Sequence, residues 1–327
     1  MDNLFLVRAL TTAINAMRTP GGVILNRYFR PKAHAVLSSR FGFEVISGSE
    51  GVLKTIGVAD PALVRDKTSR AFYPCEAPRI APKKFISAAE VDSVRAFGSQ
   101  ISAELLESRI AKEQLDMRNE IERTLEFWAA HALRGQVLDS DLTTVLADYL
   151  FDADHTEVVG KPWNGDADDP DIIGDIRRWK LMIEDDSGHT VTGWHAFCGY
   201  KVMNAIINDS SVRELLVFER GRQIAEQGAI VRLAGVTIEE YNGSFVTDSG
   251  TRTRFLDADE FILIGEGEDV FDMPYAPCVQ EGASPSDFFF SKSWSEQDPS
   301  GRWILAEVRA LPVVQRPNAI VRATVCT

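Results

Sequence analysis

Cysteine is scarce: four residues in 327, Cys75, Cys198, Cys278 and Cys326, too far apart to form a CxxC pair. That spacing argues against a disulfide framework and points to free thiols in a reducing compartment. Long apolar runs are missing as well, none approaching the roughly 18 residues of a membrane span. The N-terminus makes a poor signal peptide, since Asp2 precedes the apolar stretch and Arg8 interrupts it. Synthesis and retention in the cytoplasm, with no membrane partner, are the expectation. Positive charge is the third shortage: 35 Lys and Arg stand against 48 Asp and Glu, a net charge of −13. Recognition of a phosphate backbone needs clustered basic residues, so this balance argues against a nucleic-acid binder.

Catalytic signatures are absent too. The five histidines, His34, His131, His155, His189 and His195, never fall into HExxH or another zinc spacing. There is no GxSxG elbow, and no cysteine has a local protease signature. Gly265-Glu266-Gly267-Glu268 places acids where a phosphate loop would offer free amides or a lysine. The six tryptophans and eighteen phenylalanines lack interleaved basic residues, so stacking on single strands is not indicated. One acidic knot, Asp166, Asp168, Asp169 and Asp171, is the candidate metal site. Counted from Asp166, a calcium loop would need Gly at the sixth place and Glu at the twelfth, which hold Asp171 and Arg177. Helix capping explains the knot better, with Asp169 as N-cap and Pro170 in the first turn. No metal and no cofactor are expected.

What is present is architecture. Hydrophobic residues make up 45% of the chain and charged ones 25%, enough to bury a sizeable core. Leu6, Leu10, Ile14 and Met17 recur at helical spacing before Pro20-Gly21-Gly22 stops the pattern. Such a stripe docks either on the chain's own body or on a neighbour. Phe41, Phe43 and Val45 alternate, as do Val52, Ile56 and Val58, with Gly48-Ser49-Glu50-Gly51 as a turn between them. An isolated hairpin of this kind is at best marginally stable and needs a second surface to lie on. The strongest helical pattern runs from Ile101 to Arg134, with Ile101, Leu105, Leu115, Ile121, Leu125, Trp128 and Ala132 on one side. Lys112 with Asp116, and Arg118 with Glu122, are placed to pair at i,i+4. Ser99 and Gly135 bound a rod of about 50 Å. A second helix follows the acidic knot through Ile172, Ile176, Trp179 and Ile183. A mixed stretch comes next: an apolar run at 194–198, helical pieces at 201–208 and 212–218, and strands at 229–233, 236–241, 260–264, 303–309 and 319–325.

The C-terminal half carries a resemblance. Tyr241-Asn242-Gly243-Ser244-Phe245, Asp248-Ser249-Gly250, Phe255-Leu256 and Phe261-Ile262-Leu263-Ile264-Gly265 resemble lambda-like major capsid proteins of tailed bacteriophages. Trp294-Ser295-Glu296-Gln297-Asp298-Pro299, Leu311-Pro312 and Arg316-Pro317-Asn318-Ala319 resemble the closing pattern of the same family, and Pro78-Arg79-Ile80-Ala81-Pro82 agrees in order. Asp257 departs from it, standing where Pro is expected after the Phe-Leu pair. The resemblance implies an α+β fold of the Hong Kong 97 type. Residues 1–40 would be an N-terminal arm, 41–84 an extended β-hairpin loop and 85–164 a peripheral domain with the spine helix. Residues 165–301 would be an axial domain, and 302–327 the strands that return to the peripheral domain. It implies a major capsid protein and no enzyme: the chain would self-assemble into pentamers and hexamers of the icosahedral shell that encloses the phage genome. An acidic wall would not hold the double-stranded DNA within. Implied partners are other copies, a scaffold protein and portal during assembly, and a decoration protein in lambda-like relatives. Arg65, Lys67 and Arg70 on the loop tip are candidates for contacts between capsomers. Lys54 or Lys67 with Asn318 are the candidates for an isopeptide cross-link, which the local sequence disfavours because no pocketed carboxylate accompanies them. An encapsulin-like nanocompartment shell or gene-transfer-particle capsid is the alternative, and a metal-dependent hydrolase using the acidic knot a distant one.

Overall fold

A computed structural model describes residues 7–17, 22–47, 69–87, 102–165, 170–212, 230–247 and 250–327. The chain divides into two compact units. One comprises residues 1–42, 74–129 and 272–313, the other 43–73, 130–271 and 314–327.

In the first unit, helix α1 (Val7–Ala16) buries Leu10 and Ile14 against its own chain. Thr11 Oγ1 donates to the Ser291 carbonyl at 3.1 Å and accepts from the Ser291 amide at the same distance. Asn15 Nδ2 donates to the Phe289 carbonyl at 2.7 Å. Of the two docking options open to an amphipathic terminal stripe, the chain's own body is the one realised. A widened helical turn, Leu25–Phe29, follows, and the buried Glu126 carboxylate accepts from the Ile24 and Leu25 amides at 3.0 and 2.8 Å. Strand β1 (Ala33–Ala35) runs parallel to β15 (Phe271–Tyr275), which is bordered on its other side by β18 (Val313–Val314).

The larger sheet of this unit is antiparallel. Strand β17 (Gly301–Arg309) lies between β16 (Phe290–Glu296) and two short partners, β4 (Arg79–Ile80) and β5 (Lys83–Ser87). Period-2 alternation sends Ser291, Ile304, Ala306 and Ile86 to one face, all buried. The long helix α2 (Ser102–Ala132) lies on that face. Gln114 Nε2 donates to Ser291 Oγ at 2.9 Å, and Lys84 Nζ lies 3.6 Å from Glu113 and 3.1 Å from Glu120. Its 31 residues make a rod of about 46 Å. The inward row is Ile110, Gln114, Met117, Ile121 and Leu125, whereas Leu115, expected inside, is exposed. A buried glutamine is invisible to a hydrophobic pattern, and placing Gln114 inward turns Leu115 out. The i,i+4 pairs among the described residues are Arg109–Glu113 at 3.3 Å and the expected Arg118–Glu122 at 3.6 Å.

The second unit is built on a mixed six-stranded sheet in the order β10 (Ile230–Leu233), β11 (Val236–Glu240), β9 (Gly193–Cys198), β14 (Glu260–Glu266), β19 (Ile320–Thr324), β8 (Thr156–Val158). The apolar run Phe261-Ile262-Leu263-Ile264 is fully buried, as expected of a central strand covered on both faces. One face packs on helices α3 (Ile172–Asp186) and α4 (Tyr200–Asn208) through Ile176, Trp179, Ile183, Val202 and Ile206. The rings of Trp163, Trp179 and Phe261 meet there at centroid separations of 5.3–5.9 Å. Helix α3 starts later than the Asp169-Pro170 reading has it: the N-cap is Asp171, whose Oδ1 accepts from the Gly174 amide at 2.8 Å.

Two small ribbons complete this unit, β6 (Gln136–Leu138) with β7 (Val145–Asp148) and β12 (Ser244–Val246) with β13 (Arg252–Arg254). Strand β2 (Arg40–Ser47) pairs with β3 (Ser69–Glu76). The expected partner of β2, Val52–Val58, lies outside the described residues. Strand β3 escaped the pattern because Pro74 interrupts it, and a two-stranded ribbon tolerates a proline that a central strand would not.

Candidate assembly surfaces

Asp171 is a cap, while Asp166, Asp168 and Asp169 lie outside the described residues. Among the described residues no cluster of three or more His, Cys, Asp and Glu could hold a metal ion, and no helix is long and apolar enough to cross a membrane. Burial pushes the Cys278 thiol up to about 12 and the Cys326 thiol up to about 11, and raises Cys198 as well, so these sulfurs stay protonated. His131 is buried, and desolvation lowers its pKa to about 4. Glu260, also buried, accepts from Arg134 Nε at 3.0 Å and from Arg322 Nε.

Of the candidates for contacts between capsomers, Lys54, Arg65 and Lys67 lie outside the described residues. Arg70 sits in β3. Asn318 occupies the turn Pro317–Ala319, and its Nδ2 donates to Asp152 Oδ2 at 2.8 Å within the same subunit.

Two other surfaces stand out. In the first unit, the face of the antiparallel sheet opposite α2 carries a cross-strand aromatic ladder. Register places Phe85 opposite Trp303 and Trp303 opposite Trp294, with ring centroids 4.9 and 6.3 Å apart. Lys83 Nζ lies 4.8 Å from the Trp303 ring centroid, and Lys292 Nζ 5.4 Å from that of Trp294. Phe290 and Leu305, at the same face's inner end, are buried with Cys278. Trp294, at its outer end, is 36% exposed. The sequence shows Lys-x-aromatic twice, at Lys83 to Phe85 and at Lys292 to Trp294, but only strand register shows that the rings adjoin.

In the second unit, the β6–β7 hairpin has the opposite character. Residues 135–155 hold five aspartates, Asp139, Asp141, Asp148, Asp152 and Asp154, and no Lys or Arg. Leu142, Val145 and Leu150 are exposed to 38%, 48% and 50%. Leu142 and Leu150 have φ of 59° and 52°, a left-handed backbone that costs a leucine about 1 kcal/mol or more. The turn is held by Asp141, whose carboxylate accepts from the Thr144 and Thr143 amides at 2.9 and 3.0 Å. Those amides hold the Asp141 carboxyl well below the usual carboxylate range.

The family whose sequence profile matches this chain is described as phage major capsid protein E, and the match covers residues 7–325. No curated protein matches. Among solved structures, a protein of an Escherichia coli CFT073 prophage, provisionally described as a capsid protein, is similar at a TM-score of 0.67 and 17% identity, over 98% of this chain and 99% of that one. The capsid of cyanophage P-SCSP1u gives 0.56 at 10% identity, over 94% and 89%. The mature capsid of bacteriophage PhiM1 gives 0.53 at 12% identity, over 94% and 90%. At such identities the likeness speaks for the fold: a mixed α+β fold shared with phage capsid subunits, of the Hong Kong 97 type.

Proposed function

Because this chain belongs to the phage major capsid protein E family, a family of structural shell proteins of the virion, we propose that it builds an icosahedral phage head from pentamers and hexamers of itself. The observation that carries this reading is the family match across residues 7–325. The subunit has a mechanical role and no catalytic step. Its task is to present the same surfaces hundreds of times, so that weak contacts add up and the closed shell has no free edge. In this reading residues 1–40 are the N-terminal arm, 41–84 the extended loop, 85–164 the peripheral domain, 165–301 the axial domain and 302–327 the returning strands. Arg65, Lys67 and Arg70 of the loop meet neighbouring capsomers. Assembly takes place in the host cytoplasm with a scaffold protein and a portal, a decoration protein seats on the finished surface, and the shell encloses double-stranded DNA without reading its sequence. The net charge of −13 supports a wall that does not hold its contents.

The test is expression of the chain alone and with a scaffold, followed by size-exclusion chromatography and negative-stain electron microscopy. Rings or closed shells are expected. A stable monomer under both conditions overturns the reading.

A further inference from the structure

Each of the two surfaces described above carries what the other lacks. The ladder of Phe85, Trp303 and Trp294 is flanked by the lysines at 83 and 292. The β6–β7 hairpin offers exposed Leu142, Val145 and Leu150 among aspartates, with no Lys or Arg in residues 135–155 to oppose a lysine. We infer that the acidic hairpin of one copy docks on the cationic aromatic face of the next copy, its leucines covering the indoles and its carboxylates meeting Lys83 and Lys292. The occupant is a second copy of this chain, and the inference rests on the shell-subunit reading.

Three physical points support it. Aromatic rings with lysines beside them make a strong site once covered, because burial strengthens both the apolar contact and the charge pairing. Charge complementarity selects the occupant: with 48 acidic and 35 basic residues, two copies repel on average, and only a locally acidic segment meeting a locally basic face reverses that sign. The patches are also different surfaces of one chain. A contact between them is head-to-tail, and a head-to-tail contact repeats around a ring, as a self-complementary one does not. Glu296 lies on the ladder's face beyond Trp294, the end away from Lys292. Repulsion there directs the aspartates toward the lysines and gives the docking a polarity.

The experiment has two arms. Particles co-assembled from nitrogen-14 and nitrogen-15 subunits are treated with a zero-length carbodiimide, which condenses a lysine amine with an aspartate carboxyl, and are analysed by mass spectrometry. Mixed-isotope peptides joining Lys83 or Lys292 to Asp139 or Asp148 are expected. Cross-links from these lysines solely to acids elsewhere, or solely within one copy, overturn the interface. In the second arm, Lys83→Glu with Lys292→Glu, and separately Asp139→Lys with Asp148→Lys, are each expected to lower the assembled fraction about tenfold. Combining all four changes is expected to restore it to within about threefold. Asp141 is left intact because it holds the turn, and each variant is checked by its melting temperature. Wild-type-like assembly of both reversed pairs, or no rescue in a folded quadruple variant, overturns this interface and leaves the shell reading standing. Failure of the wild type to assemble overturns both.

Discussion

Glu126 shows how one side chain organises the chain around it. Its carboxylate satisfies two buried amides that the turn at Leu25–Phe29 leaves without a helical partner. Glu126→Ala is expected to lower stability by about 1–3 kcal/mol, measured by denaturant unfolding. A Cβ at Gly22 would occupy the place of that carboxylate, so Gly22→Ala disturbs the same contact. In the Glu126→Ala background the glycine substitution should cost about 1 kcal/mol less than in the wild type, because the two changes share one site. His131 makes a prediction about pH. Burial lowers its folded pKa from 6.5 to about 4, so between those values the unfolded chain binds the proton and the folded one does not. The contribution from this group is complete above about pH 6.5 and is lost as the pH falls toward 4, by roughly 3 kcal/mol in all. His131→Gln is expected to flatten the slope of stability against pH in that window.

The cap of α3 belongs to the scale of elements. Asp171→Ala is expected to lower stability by about 1 kcal/mol, read from the shift in denaturation midpoint, with the helix still formed. The helix itself was legible because Ile172, Ile176, Trp179 and Ile183 repeat at its period, whereas its first residue was not, since several aspartates in a row each make a plausible cap. Strand β14 was legible from an unbroken apolar run. The orientation of α2 was only half legible, since Gln114 points inward through hydrogen bonds that composition does not encode. The assembly surfaces were the least legible. Phe85, Trp294 and Trp303 are separated by up to 218 residues of chain and become neighbours only through the register of β16, β17 and β5. Of the five candidates taken from position and charge, Lys54, Arg65 and Lys67 lie outside the described residues. The family resemblance, by contrast, needed only local strings of residues, and the capsid family match covers residues 7–325, the stretch that contains them.

At the scale of the whole molecule, two units with separate cores should not melt as one. Scanning calorimetry of unassembled subunits is expected to give a van't Hoff enthalpy below the calorimetric one. Trp179→Ala, at the centre of the second unit's core, should cost about 3–5 kcal/mol and move that unit's transition, while Phe29→Ala should move the other. A single transition displaced equally by both substitutions would contradict this. The order of strands in the large sheet also has a consequence in time. Among the described residues strand β8, at 156–158, pairs only with β19, at 320–324, and β19 in turn covers β14. On a ribosome adding about 5–20 residues per second, β8 therefore waits roughly ten to thirty seconds for its partner. Through that interval the edge of β14 lies open and the second core is incomplete. Closure of this sheet is thus a late event in the life of the chain, set by the position of one strand in the sequence.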